Sequence, residues 1–133
     1  MNKTKLNLSD LEKTWIIDID GVIFEHNKYK VLKKGEVEKP LPGVKTFFKK
    51  IPIEDIVILV TGREKKYKRV TEKSLKKAGI RYNFLIMDLP KGERILINDV
   101  KPDGLKTAYA INLSRDEGLK NIKYIISYKR RKK

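Results

Sequence analysis

Asp18 and Asp20 stand two apart in Ile17-Asp18-Ile19-Asp20-Gly21, directly after an apolar run. Thr61-Gly62-Arg63 follows a second apolar run, Ile56 to Val60, and Asn98-Asp99 with Asp103 follows a third, Ile95 to Ile97. Two adjacent carboxylates repel, and one is pushed toward protonation unless a cation intervenes. Four acids gathered in a chain of net charge +15 call for a hard, oxygen-liganded ion such as Mg2+, since there is no cysteine and only one histidine, His26. Each piece alone is also a turn, a helix cap or a solvated loop. What singles them out together is the apolar strand immediately before each.

The elements that would position these residues are legible as hydrophobic periodicity. Trp15-Ile16-Ile17 and Ile56–Val60 read as parallel strands, the latter buried on both faces. Phe84–Met87, Arg94–Ile97 and Thr107–Ile111 read as a third, fourth and fifth strand. Val44, Phe47, Phe48 and Ile51 fall at i, i+3, i+4 and i+7, an amphipathic helix that Pro52 ends. Residues 64–78 form a lysine-rich helix with Tyr67, Val70, Ser74, Leu75 and Ala78 inward, closed by Gly79. Val22-Ile23-Phe24 and Tyr29-Lys30-Val31-Leu32 flank a polar turn and predict a short β-hairpin flap. Ser9 with Glu12 has the spacing of a capping box, so a short helix or turn is expected there. Residues 122–128 read as an edge strand or helix, and 129–133 as a solvated basic tail. Trp15, Phe47, Phe48, Phe84 and Tyr109 are expected in the core, and His26 in an exposed turn. Strands alternating with helices give an α/β fold with a mainly parallel sheet. Right-handed crossovers then bring every strand C-terminus to one edge, where ligands of such sheets bind.

Composition bounds the rest. With 133 residues, 40% of them hydrophobic, the chain fits one domain, residues 1–133, with residues 1–13 as an N-terminal extension. The lack of cysteine excludes disulfides, iron–sulfur clusters and thiolate chemistry. No apolar window is long enough to span a membrane and no signal-type h-region opens the chain, so a soluble, cytoplasmic protein without a membrane partner is expected. Of the 32 basic residues 25 are lysine. That charge suits nucleic acid, and it equally suits a lysine-rich, heat-adapted surface.

With these motifs in order, the sequence resembles the haloacid dehalogenase-like (HAD) phosphohydrolase superfamily. Its first motif, a strand followed by DxDG, reads IIDIDGV at residues 16–22; its second reads VILVTGR at 57–63; its fourth reads ILINDVKPD at 95–103, with Asn98 where many relatives carry Asp or Gly. The resemblance covers about residues 14 to 112. It implies a three-layer Rossmann-like fold with a mainly parallel five-stranded sheet, Asp18 as nucleophile forming an aspartyl-phosphate, and Asp20 as general acid and then base. It implies that Thr61 with Gly62 binds a phosphoryl oxygen. Lys91, in Leu89-Pro90-Lys91-Gly92, takes the place of the phosphate-binding lysine, with Lys76 and Lys77 as rivals. Mg2+ would be held by Asp18, Asp20 through its backbone carbonyl, Asp99 and, from closer or farther, Asp103.

Residues 23–43 hold only a short hairpin and 64–91 only one helix, one strand and two turns, which leaves no cap domain. Such an open site is covered by a second subunit of a homo-oligomer or by a bulky substrate. The expected activity is Mg2+-dependent hydrolysis of a small phosphorylated metabolite such as a sugar phosphate or nucleotide. A nucleic-acid end phosphatase, with Lys65–Arg69 on the phosphate backbone, is the alternative. A phosphate-binding module without catalysis is the third.

Overall fold

The computed structural model describes residues 3–26 and 29–128; the expected basic tail lies outside them. The chain is a mixed α/β structure with two parallel sheets. In chain order the elements are β1 (Thr4–Ser9), β2 (Thr14–Asp18), α1 (Tyr29–Lys33), α2 (Val44–Lys50), β3 (Ile56–Val60), a 3-10 turn (Lys65–Tyr67), α3 (Lys68–Lys77), β4 (Phe84–Ile86) and β5 (Ile122–Tyr128). One sheet has the order β2-β3-β4 and the other pairs β1 with β5. In the first sheet Asp18 is in register with Val60 and Val60 with Ile86, so the three strands end level at one edge.

The core forms where the sequence periodicity places it. Val57 and Leu59 on the inward face of β3 are fully buried. Phe47 and Phe48 of α2 and Leu75 of α3 join them in one cluster. α3 ends in a left-handed Gly79 (φ 71°), and the Ile80 N–H reaches back to the Leu75 carbonyl at 3.0 Å, a closure that glycine permits without steric cost. Trp15 packs edge-on against Phe47 (5.7 Å between ring centroids) and donates its indole N–H to Asp55 Oδ2 at 2.8 Å. Gly118 meets the Pro42 backbone so closely that an added Cβ would sit 2.1 Å from the Pro42 carbonyl oxygen. Only a residue without a side chain fits there.

Several expectations are corrected. Residues 4–9 alternate partly buried and exposed positions and pair with β5, so the N-terminal segment is a strand. Ser9 Oγ accepts the Leu11 N–H (3.3 Å) and closes a turn, not a helix start. The hairpin flap is absent: the Ile19 carbonyl accepts the N–H groups of Val22, Ile23 and Phe24, winding residues 19–24 into a tight turn, and a short helix α1 follows. Arg94–Ile97 and Thr107–Ile111 are not strands, so the single five-stranded sheet is replaced by sheets of three and two strands.

The reason lies in local turn chemistry. Pro102-Asp103-Gly104 is a strong turn former. Asp103 Oδ1 accepts the Leu105 N–H at 3.1 Å, the Lys101 N–H bonds the Leu105 carbonyl at 2.9 Å, and Val100 bridges Lys106 antiparallel. Thr107 Oγ1 donates to the Asp99 carbonyl and Asn98 Nδ2 to the Thr107 carbonyl. The segment folds on itself, leaving Ile95 at 82% and Ile97 at 89% exposure. The outer face of the three-stranded sheet is open at Ile16, Phe84 and Ile86, and Tyr109 is exposed. Phe84 and Tyr109 are therefore not core residues.

Replacing Leu75 by Ala should destabilise the protein by about 2–5 kcal/mol, because a fully buried side chain leaves a cavity. Ile97→Ser should change stability by less than about 0.5 kcal/mol. Urea unfolding of the two variants checks both.

Candidate functional site

Asp18 is the last residue of β2 and Thr61 the first beyond β3, so the level strand ends carry both to one edge. Asp20 reaches the same place through the turn at Gly21, whose φ of 85° suits glycine. The Gly21 N–H bonds the Phe24 carbonyl at 2.7 Å and fixes that turn.

A buried guanidinium organises the site. Arg63 gives its Nε–H to Asp20 Oδ1 at 3.0 Å, and its Nη2 lies 2.9 Å from the same oxygen. Its Nη1 and Nη2 form a fork on the Glu38 carboxylate at 2.8 and 3.1 Å. Nη1 also donates to Thr71 Oγ1 (3.0 Å), and the Phe24 ring lies under the group, 5.7 Å from centroid to Cζ. The Arg63 and Glu38 side chains are 3% and 4% exposed. Burial opposes the arginine charge, but the hydrogen bonds and charges of Asp20 and Glu38 outweigh it and hold Arg63 above its ordinary range. The planar five-donor fork lets one side chain serve two carboxylates, which an ammonium would not match.

Thr61 is fully buried. Its hydroxyl donates to Asp20 Oδ2 at 2.8 Å and accepts the Arg63 N–H at 3.0 Å. Both Asp20 oxygens thus have donors. The Thr61 hydroxyl is bound to Asp20 here and not aimed at a ligand. Gly62 is exposed, and an added Cβ would lie 3.3 Å from the Leu89 carbonyl oxygen. The loop after β4 is tied to this edge by Asp88 N–H to the Arg63 carbonyl (2.8 Å) and Leu89 N–H to the Thr61 carbonyl (3.1 Å).

That loop delivers a cation. Arg94 Nη1 lies 3.4 Å from Asp18 Oδ1, and both side chains are partly open to solvent. Asp18 Oδ1 also accepts the Ile19 N–H at 3.0 Å. Burial raises the Asp18 pKa above its ordinary value; Arg94 and the Ile19 N–H lower it, and the Asp20 charge raises it again, with a net upward shift. His26, expected in an exposed turn, is half-buried, and its backbone N–H donates to Asp116 Oδ1 at 2.8 Å. Its Nδ1 is buried with no partner among the described residues.

Of the residues predicted from sequence, Asp18, Asp20, Thr61 and Gly62 come together. Lys91 is exposed, and the cation in contact with Asp18 is Arg94. Asp99 and Asp103 lie in the exposed self-paired segment, where Asp103 serves its turn. Among the described residues, no group of three acidic or histidine side chains stands close enough to hold a metal ion. As arranged, these residues do not form a three-ligand set for Mg2+. Sequence reasoning missed Glu38 and Arg94. Glu38 has no local signature. Arg94 lies three residues beyond Lys91, in the segment where a phosphate-binding cation is sought.

No protein-family model matches this chain, and no curated protein matches it. Among the described residues, no helix is long and apolar enough to cross a membrane.

Glu38→Gln leaves Arg63 with an incomplete set of buried partners and should cost about 3–5 kcal/mol, measured by chemical unfolding. A second expectation concerns pH. A carboxyl whose folded pKa is raised favours folding when protonated, so Asp18's contribution is complete below its unfolded value of 3.8 and is lost as pH rises through the folded pKa. Asp18→Asn in chelator-treated buffer should therefore unfold at higher denaturant than the parent at neutral pH, with the difference closing toward pH 4.

Proposed function

We propose that the chain is a phosphomonoester hydrolase of the haloacid dehalogenase-like type that acts through an aspartyl-phosphate on Asp18. The observation that carries this reading is a partly exposed Asp18 carboxylate beside the Arg94 guanidinium, two residues before a second carboxylate, Asp20, held in place by Arg63 and Thr61. A carboxylate attacks an anionic phosphate only where positive charge screens the approach.

In this reading an Asp18 oxygen bonds to phosphorus as the ester P–O bond breaks, and Asp20, once its Oδ2 is released from the Thr61 hydroxyl and protonated, gives that proton to the leaving oxygen. Water then attacks the phosphoryl group and passes a proton to Asp20, releasing phosphate and regenerating Asp18. Arg94 balances the charge that spreads over the equatorial oxygens. The finer fold belongs to the same proposal: a Rossmann-like arrangement built around the parallel β2-β3-β4 sheet. So does Mg2+, which requires Asp99 to join Asp18. A small sugar phosphate or nucleotide is the substrate class of this reading, and a homo-oligomer the cover of its open site.

The test is hydrolysis of p-nitrophenyl phosphate with Mg2+ and with chelator. Turnover should need the ion and fall to background in Asp18→Asn. Arg94→Ala should lower kcat/KM by about 100- to 1,000-fold, as loss of one charge-stabilising donor does. Absence of turnover by the parent chain across phosphomonoesters would leave a binding module in its place.

A further inference from the structure

A second feature lies beside the site. Between α1 and α3 runs a groove of about 550 Å³. Lys33 and Lys34 stand on one wall and Lys66, Arg69 and Lys73 on the other; Leu32, Tyr67 and Val70 contribute apolar surface between them, and no acidic residue lines it. Lys66 approaches Glu64 at 3.6 Å, both exposed, and lies over the Tyr67 ring. Among the described residues no acid pairs with Lys33, Lys34, Arg69 or Lys73.

This arrangement works against the fold that carries it. α3 has no acid in its first turn and begins Lys68-Arg69, opposing the positive end of the helix dipole. Arg69 and Lys73 are like charges at i, i+4, which destabilise a helix slightly. Charge held against these preferences, on two facing walls, is what a polyanion would compensate. The walls are also fixed relative to each other. Glu38, five residues after α1, is clamped to Arg63, and its N–H donates to Ser74 Oγ of α3 at 2.9 Å. Lys66, Arg69 and Lys73 follow one helical face over about 10 Å. Lys66 of the groove stands three residues after Arg63, in the turn between β3 and α3.

We propose that the groove between α1 and α3 binds the phosphate backbone of single-stranded nucleic acid. Two rows of cations with the apolar surface of Tyr67 and Val70 between them suit a linear chain of phosphodiesters and its bases. Lysine predominates over arginine, so contacts are point charges without the bidentate geometry that reads bases, and binding is sequence-tolerant. The binding stands independently of the hydrolase reading. Its consequence, that an oligonucleotide end is the phosphomonoester presented to Asp18, rests on that reading.

Fluorescence anisotropy with labelled dT15 and rU15, both with terminal hydroxyls, tests it between 50 and 200 mM salt. Log affinity should fall linearly with log salt with a slope of about −3, from about four to five neutralised phosphates at roughly 0.7 each. Arg69→Glu with Lys73→Glu should weaken binding at least tenfold and flatten the slope by about 1.4. The same charge change on α2, Lys49→Glu with Lys50→Glu, should alter affinity less than threefold. Thermal unfolding verifies that both variants fold; if the first does not, Lys34→Gln with Arg69→Gln replaces it. Asp18→Asn should bind as the parent does, so a failed hydrolysis test leaves this result standing, and failed binding leaves the hydrolysis test standing. The proposal is overturned by no binding at 50 mM salt, by equal losses in the α2 and α3 variants, or by phosphatidylserine vesicles that bind the chain and displace the oligonucleotide.

Discussion

Arg63 takes a full positive charge into the protein interior, and the arrangement around the site follows from what neutralises it. A lone buried guanidinium is prohibitively costly. Here two carboxylates from distant parts of the chain, Asp20 after β2 and Glu38 after α1, meet it within hydrogen-bond distance, and Thr71 of α3 adds a further acceptor. The cluster therefore joins the turn after β2, the segment after α1 and α3 in one polar contact. Because every partner is hydrogen-bonded, the geometry is specific; an aliphatic core could be satisfied in many ways, but this pairing in one. Asp20 owes its orientation to Arg63 and Thr61 together.

The parts of this structure that the sequence discloses are those governed by local pattern. Ile56–Val60 is a strand because five apolar residues in a row suit burial beside parallel neighbours. α2 and α3 follow from helical periodicity, and Gly79 stops α3 as a left-handed cap. Asp18, Asp20 and Thr61 converge because parallel strands that begin level also end level. Glu38 was hidden for the opposite reason. Its burial is decided by a residue far along the chain, and nothing in Val37-Glu38-Lys39 distinguishes it from a solvated acid. Arg63 was visible as part of a motif, whereas its depth in the structure was not.

The segment from Arg94 to Ile111 shows two patterns in conflict. Ile95-Leu96-Ile97 has the composition of a strand, yet Pro102-Asp103-Gly104 directs the chain to turn and pair locally. The short-range hydrogen bonds close over few residues at small entropic cost, while docking onto a distant strand fixes a much longer loop. Asp99 and Asp103, two of the acids expected at a metal, stand in that self-paired segment. The cation that does reach Asp18, Arg94, lies just before the apolar run, where the loop is still pinned by its bonds to Arg63 and Thr61.

The pairing of β1 with β5 has a kinetic side. Thr4 lies in register with Ile122, so among the described residues β1 pairs with β5 alone, across most of the sequence. During synthesis β1 emerges early and waits with unsatisfied backbone groups until the last strand is released, whereas β2, β3 and β4 can assemble sooner. Such non-local closure is slow. The two-stranded ribbon is thus the final piece to zip up, and in the interval its open edge is the place where two nascent molecules would exchange strands.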